Sequence, residues 1–216
     1  MPIAVDPNWT ADTYKASTTG TSLTYAAHDV SGTNRVMMVT GQFDQFADGG
    51  ITFNSDALTV LSTSTGTTYA KHMWRLVAPD LGANNVVITV PLSEFLGSAE
   101  ISFTGAHQTQ TTAAETNTQT TATSITQDLT TTADGSMVLS YLVKGNAATP
   151  TEGQGTFASY QSVNPNNHAT HYIIKAIAGA QTMSWSWAGS TTADEGIYEI
   201  LAAAATVSNH WLLTGV

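Results

Sequence analysis

Histidine is the residue type in this sequence that most directly suggests catalysis or metal binding, and the chain contains six. Two of them, His168 and His171, lie three residues apart in the segment NHATHY. On a helix this spacing would place both imidazoles on one face, where they could bind a metal ion. In a strand or a loop it does not bring them together, and no HExxH pattern accompanies them. We therefore interpret the pair as loop polarity and expect no metal ion or other cofactor.

Three aspartates surround the glycine-rich segment DQFADGG and form a second candidate site: Asp44, Asp48 and Asp56. Carboxylates and loop carbonyls are the ligands that calcium prefers. Their spacing does not follow that of an EF-hand loop, and Asp and Gly are also the residues that any turn uses. The three aspartates are therefore calcium candidates without a supporting motif.

Two tryptophans, Trp185 and Trp187, lie two residues apart in SWSWAG, so that in a strand both rings share one face. Exposed at the surface, this pair and Tyr198 would form a platform on which sugar rings stack. Buried, the same side chains would belong to the hydrophobic core, which is the usual place of tryptophan. We favour the core, and we keep a carbohydrate-binding module or lectin-like adhesin as the alternative function.

The carboxylates of the chain do not form a pattern typical of a glycosidase, which holds two carboxyl groups about 5–9 Å apart. Asp194 and Glu195 are adjacent and would point to opposite faces of a strand. Glu199, in IYEI, could face a groove or could be a charge on an edge strand. The sequence contains no GxSxG, P-loop or GxGxxG motif. We therefore predict that the protein is not an enzyme.

The composition excludes further classes of function. Charged residues make up 10% of the chain, and six Lys and Arg against sixteen Asp and Glu give a net charge of −10. Such a chain lacks the basic surface that phosphates require, so we expect neither nucleic acid nor anionic membranes as partners. The absence of cysteine excludes disulfides, thiolate metal sites and cysteine nucleophiles.

The start of the chain, MPIAVDPNWT, has neither the basic nor the apolar region of a signal peptide. No window approaches the run of about eighteen apolar residues that a transmembrane helix needs. We therefore expect synthesis in a cytoplasm without export through the secretory pathway.

The elements that would position these residues are β-strands. Apolar segments recur at about the 8–12-residue spacing typical of a β-sandwich, with turn residues between them. RVMMVTGQF at 35–43 is the near-continuous apolar run expected of a central strand. Only YEILAAAA, at 198–205, has a composition that favours a helix. The sequence predicts an all-β fold, a single antiparallel β-sandwich with roughly 10–13 strands and little helix.

A threonine-rich segment, residues 111–135, could be a linker between two small domains or part of one folded unit. The first half of this segment, with the two residues before it (109–122), lacks apolar periodicity. Neither half of the chain would form a well-covered sandwich by itself. We therefore predict a single domain over residues 1–216, with a polar, threonine-rich excursion at about 109–122. No internal repeat is convincing.

The second part of the same segment has the pattern of a strand. Ile125 and Leu129 would share a face, and the dipeptide DG at 134–135 is a hairpin signal. We expect a strand at 123–132 that pairs with 136–143. Its threonines would form the exposed, β-favouring face of an outer strand.

Several segments follow one another in a familiar order: SGTNRVMMV after an early histidine, MWRLVAP, VVITV, ISFTGAHQT, SMVLSYLV, and WSWAG with GIYEI. Over about residues 20–205 this order resembles a jelly-roll-like β-sandwich family of tailed-phage virion proteins and bacterial surface proteins. Arg35 stands where that family has an arginine at the start of an inner strand. The resemblance implies a sandwich of jelly-roll type and brings no catalytic residue set.

The resemblance also implies a function, that of a non-enzymatic structural protein of a phage virion. We expect a capsid decoration or outer virion component, made in the host cytoplasm and located in the virion. Its partners would be other virion proteins and further copies of itself, in a homo-oligomer that we take to be a trimer. Two short apolar ends, IAVDPNW at 3–9 and HWLLTGV at 210–216, could dock on neighbours.

Overall fold

The structure is a computed structural model, and in the residues it describes it contains sixteen strands and no helix. The described residues are 2–11, 13, 15–25, 27–43, 50–65, 70–110, 114–146, 148–163 and 166–204. The strands are β1 Ala4–Val5, β2 Lys15–Thr24, β3 His28–Val30, β4 Val36–Phe43, β5 Gly50–Phe53, β6 Asp56–Ala57, β7 Thr59–Thr65, β8 Ala70–Val77, β9 Gly82–Asn84, β10 Val86–Thr104, β11 Ala114–Thr130, β12 Met137–Lys144, β13 Thr151–Glu152, β14 Thr156–Val163, β15 Asn166–Ile174 and β16 Ala180–Ile200.

Most of these strands belong to two large antiparallel sheets. The first sheet has the order β6-β5-β10-β4-β8-β7, and β1 and β2 also pair with β10. The second has the order β11-β16-β12-β15-β14, and β13 pairs with β16. A separate two-stranded ribbon consists of β3 and β9. Because neighbours in the sheets are mostly distant in sequence, both sheets are built through crossover connections.

The two large sheets repeat one topology. Taken in chain order, six strands of the first sheet, β2, β4, β5, β7, β8 and β10, correspond to β11, β12, β13, β14, β15 and β16 of the second. In each set the long last strand lies between the first two strands, and the fifth lies between the second and the fourth. The short third strand pairs with the long strand in both sets.

Equivalent strands also pair in the same register, and each residue has its counterpart roughly one hundred residues further along the chain. The equivalent pairs include Val36↔Val77 with Met137↔Ile174, Val36↔Phe103 with Met137↔Ile200, Thr89↔Gly50 with Ser186↔Thr151, and Leu23↔Ile88 with Ile125↔Trp185. The correspondence therefore extends over every strand of the set that the two sheets share.

Irregularities of the ladders recur at equivalent positions as well. The bulge that follows Val60 in β7 has its counterpart after Phe157 in β14. The long strand β10 changes register against β2 after Thr89, and β16 changes register against β11 after Ser186. A bulge is a local feature that a shared strand order does not by itself require. We therefore describe the chain as two copies of one fold unit, the N-terminal unit (β1–β10) and the C-terminal unit (β11–β16).

A short sequence repeat accompanies this structural one. TTGTSLT at 18–24, in β2, and TTATSIT at 120–126, in β11, have five of seven residues in common. Their positions are equivalent, because Leu23 and Ile125 lie opposite matching residues of the long strands. The interpretation that the chain holds no internal repeat was wrong. The identity is confined to one polar segment, whereas the repeat itself consists of strand order and register.

The two units face each other with their strands running in the same direction. Across the first sheet Lys71, Gln42 and Gly97 lie side by side on β8, β4 and β10. The equivalent row of the second sheet is His168, Val143 and Asp194, on β15, β12 and β16. Lys71 contacts Asp194, and at the other end of the row Gly97 lies against His168. Because β8 meets β16 and β10 meets β15 at the same level, a pseudo-twofold axis runs parallel to the strands.

The matching inner faces of the two sheets enclose one shared core. Its buried side chains are Ile3, Val36, Met38, Met73, Ile101, Phe103 and Ala106 from the N-terminal unit and Met137, Leu139, Tyr141, Val143, Ala158, Tyr198 and Ile200 from the C-terminal unit. The alternation of side chains along a strand decides this assignment, since Val36 and Met38 of β4 face the shared core and Met37 and Val39 face away from it.

Each unit also has an outer core on the far side of its sheet. In the N-terminal unit the first part of β10, with β5 and the end of β2, packs over β4 and β8 around Phe43, Phe53 and Trp74. In the C-terminal unit the corresponding parts of β16 and β11 pack over β12 around Leu142 and Trp185. The long strands can serve both layers because they change register and bend midway.

The predictions of an all-β, antiparallel fold and of little helix are confirmed, and the face-to-face sheets fit a sandwich. The expected number of strands was too low, because the long strands are accompanied by several of two or three residues. The jelly-roll type and the single domain over residues 1–216 stay predictions.

The threonine-rich segment differs from the expectation in two ways. Residues 114–122 are not an excursion from the sheet, because they form the first part of β11 and pair with β16. The expected hairpin is also wrong: β11 does not pair with β12, which lies between β15 and β16. The turn itself exists, and Gly135 has a left-handed φ of 75°, but it leads into a crossover.

We predict that Leu139→Ala, in the shared core, lowers the free energy of unfolding by about 2–5 kcal/mol, because it leaves a cavity between the two sheets. The control Leu92→Ala removes the same atoms from a side chain that is 60% exposed, and it should change stability by less than about 0.5 kcal/mol. Urea denaturation followed by tryptophan fluorescence measures both variants. Equal stability losses for the two would contradict the shared core.

Candidate functional site

The two closely spaced histidines lie in β15, on opposite faces of the strand. His168 faces the shared core, where its Nδ1 lies 3.3 Å from the Tyr141 hydroxyl. His171 faces the outer core of the C-terminal unit and packs on Trp185, with the ring centroids 4.2 Å apart. Burial lowers the pKa of His168 to about 3 and that of His171 to about 4. The two rings are therefore neutral packing residues in separate layers, with no shared ligand position.

The calcium candidates fall mostly outside the described residues, which include neither Asp44 nor Asp48. Asp56 lies in β6 and is exposed. Within the described part of the chain, no group of three or more histidine, cysteine, aspartate or glutamate side chains could hold a metal ion. The expectation that no metal ion is bound, with these aspartates as weak calcium candidates, stays a prediction.

The aromatic side chains considered for sugar stacking are all buried. Trp185 is 1% exposed, and its indole Nε1 donates to Ser140 Oγ at 2.9 Å. Trp187 is 7% exposed. The Tyr198 hydroxyl lies inside and donates to the backbone carbonyl of Leu61, across the boundary between the units. None of the three presents a ring face to solvent, so a sugar platform cannot be built from them in this structure.

Glu199 anchors a turn and does not face a groove. Its carboxylate accepts hydrogen bonds from the Thr132 backbone amide at 2.7 Å and hydroxyl at 2.9 Å, and from the Ala133 amide at 3.3 Å. These donors belong to the turn between β11 and β12. The Glu199 side chain therefore holds the turn between β11 and β12 in place.

A buried group that the sequence patterns did not indicate consists of Ser102, His28 and Glu100. His28 Nε2 lies 2.7 Å from Ser102 Oγ, and His28 Nδ1 lies 3.0 Å from Glu100 Oε1. The residue types and their order are those of a serine-hydrolase triad. All three side chains are fully buried, so a substrate cannot reach the serine.

The electrostatics of this group also differ from those of a triad. A hydrolase needs an ionised carboxylate that stabilises the imidazolium formed during catalysis. Here burial raises the pKa of Glu100 well above its ordinary value and lowers that of His28 to about 4. Burial therefore disfavours the charged form of both groups. The group acts as a buried polar link between the β3–β9 ribbon and β10.

Asp6 extends this link to the start of the chain. Its carboxylate accepts from the Ser31 amide at 2.8 Å, the Ser31 hydroxyl at 2.5 Å and the Asn8 amide at 3.0 Å. Ile3 lies in the shared core, and Trp9 Nε1 donates to the Glu100 carbonyl at 2.8 Å. The N-terminal segment is therefore packed within its own chain and does not protrude toward a neighbour. The other proposed docking end, 210–216, lies outside the described residues.

The boundary between the units contains an ion pair that is almost fully removed from solvent. Lys71 Nζ lies 2.5 Å from Asp194 Oδ1, and their side chains are 2% and 10% exposed. Burial lowers the pKa of Lys71, while Asp194 opposes this shift. Glu195, on the next position of β16, accepts from the Ser140 hydroxyl at 2.6 Å. Burial raises the pKa of Glu195 to about 8, so this carboxyl group is mostly protonated at neutral pH.

An open polar cleft of about 350 Å³ lies beside the β5–β6 hairpin. Its lining residues are Thr52, Asn54, Ser55, Ala83, Asn84, Asn85 and Val87. Asn54 and Ser55 have φ values of 48° and 74°, as the two central residues of a type I′ hairpin turn require. In the C-terminal unit only residues 153–155 separate β13 from β14. The hairpin, and with it the cleft, is therefore specific to the N-terminal unit.

Comparisons with protein-family models, with curated proteins and with solved structures found no match to this chain. Among the described residues, no helix offers the length and hydrophobicity needed to cross a membrane.

We predict that Glu100→Gln becomes increasingly stable relative to the wild type as the pH rises. The folded state favours the protonated carboxyl group, so its contribution to stability is complete below the ordinary pKa of a glutamate and decreases above it. Glutamine keeps the shape and cannot ionise. Between pH 5 and pH 7 the difference in unfolding free energy should shift toward the variant by at most about 1.4 kcal/mol per pH unit.

Urea denaturation at pH 5, 6 and 7 measures this shift. Glu152→Gln, which removes a half-buried carboxylate from β13, controls for the loss of one charge. A Glu100→Gln profile parallel to that of the wild type would show that Glu100 is already ionised in the folded protein.

Proposed function

We propose that this protein is a non-enzymatic structural component of a phage virion, a capsid decoration or outer virion protein that packs as a homo-oligomer. The observation that carries the proposal is that the buried ionisable side chains hold layers and turns together inside the protein. These side chains are Asp6, His28, Glu100, Lys71, Asp194, Glu195 and Glu199. An interior of this kind favours a rigid building block.

The sheet edges support the same proposal. Open strand edges invite pairing with other chains, and natural proteins blunt them with bulges and coverage. The outer strands β7 and β14 both carry a bulge. Each also lies beside a strand of the opposite unit, β7 near β11 and β14 near β10. A protein displayed at high density on a particle needs such protected edges.

The jelly-roll type of the sandwich is part of this proposal. It rests on the resemblance of the segment order to virion and surface proteins, and the crossover-rich strand order of both sheets agrees with it. Consecutive hairpins alone would not produce such an order.

Two exposed aliphatic side chains are the contacts that we assign to the oligomer. Leu81 is 60% and Ile177 74% exposed. They lie just before Gly82 and Gly179, at the equivalent turns that lead into β9 and β16. Because the pseudo-twofold axis runs parallel to the strands, both turns lie at the same end of the protein. That end therefore offers two apolar tips to neighbouring copies.

A carbohydrate-binding module remains the second candidate, and the polar cleft is the observation that favours it. Asparagine amides can donate to and accept from sugar hydroxyls. Asn84 and Asn85 line one wall of the cleft, and Asn54 lines the other and donates to Asp80 at 2.7 Å. A glycan array with and without calcium separates the two functions. Specific binding that is lost in Asn84→Ala would favour the second.

We predict that the purified protein elutes as a homo-oligomer, which we expect to be a trimer. Its mass should then be about three times the 22.7 kDa of one chain. Light scattering coupled to size exclusion measures this mass. The double variant Leu81→Asp/Ile177→Asp should elute as a monomer, because burying the new charges at the contact is unfavourable. Leu92→Asp, at an equally exposed leucine in the bend midway along β10, is the control.

The role in the virion has its own test. Particles produced from the phage genome that encodes the chain should contain the protein in a fixed, multiple copy number, measured by quantitative mass spectrometry. Its absence from purified particles would refute the virion role, whatever the oligomeric state.

A further inference from the structure

Lys71 and Asp194 meet in a setting that is unusual for an ion pair. The residues are 123 positions apart in sequence and come from opposite units, Lys71 from β8 and Asp194 from β16. Their Nζ and Oδ1 atoms lie 2.5 Å apart, so the two groups are in direct contact. Both strands are held in place by ladders on the sheet, so the two side chains are directed at each other by the fold.

The surroundings of the pair are dry. Beside Lys71 and Asp194 in the two facing rows lie Gln42, Val143 and His168, all of which are buried. Taking two charges out of water costs free energy that their attraction often fails to repay. A neutral, covalent product of the same two groups would avoid this cost, because an amide needs far less solvation than two ions.

We propose that Lys71 and Asp194 are joined by an intramolecular isopeptide bond between the N-terminal and C-terminal units. Starting from the ammonium and the carboxylate, the Nζ–Cγ bond forms and one Cγ–O bond breaks. The departing oxygen leaves as water with two of the three ammonium protons, and the third stays on the amide nitrogen. The two opposite charges cancel, and no oxidant, nucleotide or other co-reactant is consumed.

Two features of the site favour this reaction. Only an uncharged amine can attack the carboxyl carbon, and burial lowers the pKa of Lys71 toward that form. Glu195 would favour the charged amine if it were ionised itself. Because its own burial raises its pKa to about 8, it is mostly protonated at neutral pH and leaves the amine free to lose its proton. The dry surroundings then favour the departure of water.

The position of the bond would allow it to stabilise the fold. It would join β8 of the first sheet to β16 of the second at the edge of the shared core, closing a loop of more than half the chain. A cross-link stabilises a fold mainly by restricting the unfolded chain, and long loops gain the most in that account. The chain has no cysteine, so it has no disulfide that could serve this purpose.

Intact-mass spectrometry of the purified, denatured protein tests the proposal. The wild-type chain should weigh less than its sequence by one water, about 18 Da. After tryptic digestion, one branched peptide should contain both Lys71 and Asp194, with cleavage blocked at Lys71. A wild-type protein with the full sequence mass and a normal cleavage at Lys71 would overturn the proposal.

Two variants sharpen the test. Asp194→Asn can form the same amide by losing ammonia, so its cross-linked product should have the same mass as the cross-linked wild type. Lys71→Arg cannot form the bond, and it should show its full sequence mass. If Lys71→Arg fails to fold, the wild-type mass and the branched peptide decide the question alone. A water-sized mass loss that persists in Lys71→Arg would place the modification elsewhere and overturn the assignment.

Discussion

The shared core between the matching faces of the two sheets is the constraint on which the rest of the structure depends. Each unit turns the same face of its second, fifth and last strands inward, so the two inner faces are built to one plan and related by a twofold axis. Such a contact is self-complementary in the way of a symmetric dimer interface, but within one chain. It accounts for the equal strand levels of Lys71 and Asp194, for Gly97 opposite His168, and for the placement of both loop tips at one end.

This layered arrangement explains the buried polar groups. A layered protein with three apolar cores must bring its turns and chain ends back onto the sheets, and buried polar atoms then need partners. Asp6, Glu199 and the His28–Glu100 contact supply them to turns and to the N-terminal segment. The triad-like order of Ser102, His28 and Glu100 is thus a consequence of tying a ribbon to a strand. All three side chains are buried, and burial disfavours the charged forms of His28 and Glu100, so no substrate reaches the serine.

The sequence predicted those strands whose position in the sheet follows from their own residues. The continuous apolar run of β4 predicted a central strand, and it is one, because both of its faces meet a core. The pairing of residues 114–122 with β16 could not be predicted, since nothing in a threonine-rich segment indicates a partner 69 to 84 residues away. The Lys71–Asp194 contact likewise joins residues 123 positions apart. One signal was present: Lys71 and Met73 share a face of their strand, and a cation in such a row needs a buried partner.

The most direct measurement of the face-to-face arrangement uses the absence of cysteine from the chain. Thr40 and Thr170 lie on opposite sheets in the buried layer between them, with their hydroxyl oxygens 3.5 Å apart. In the double variant Thr40→Cys/Thr170→Cys, mild oxidation of the folded protein should form a disulfide in nearly all molecules, seen as the loss of both free thiols. In Thr40→Cys/Thr182→Cys, whose second site lies on the far side of the C-terminal unit beside Asp128, the thiols should stay free. Free thiols in the folded Thr40→Cys/Thr170→Cys protein, or equal oxidation of both pairs, would contradict the packing of the two units across one core.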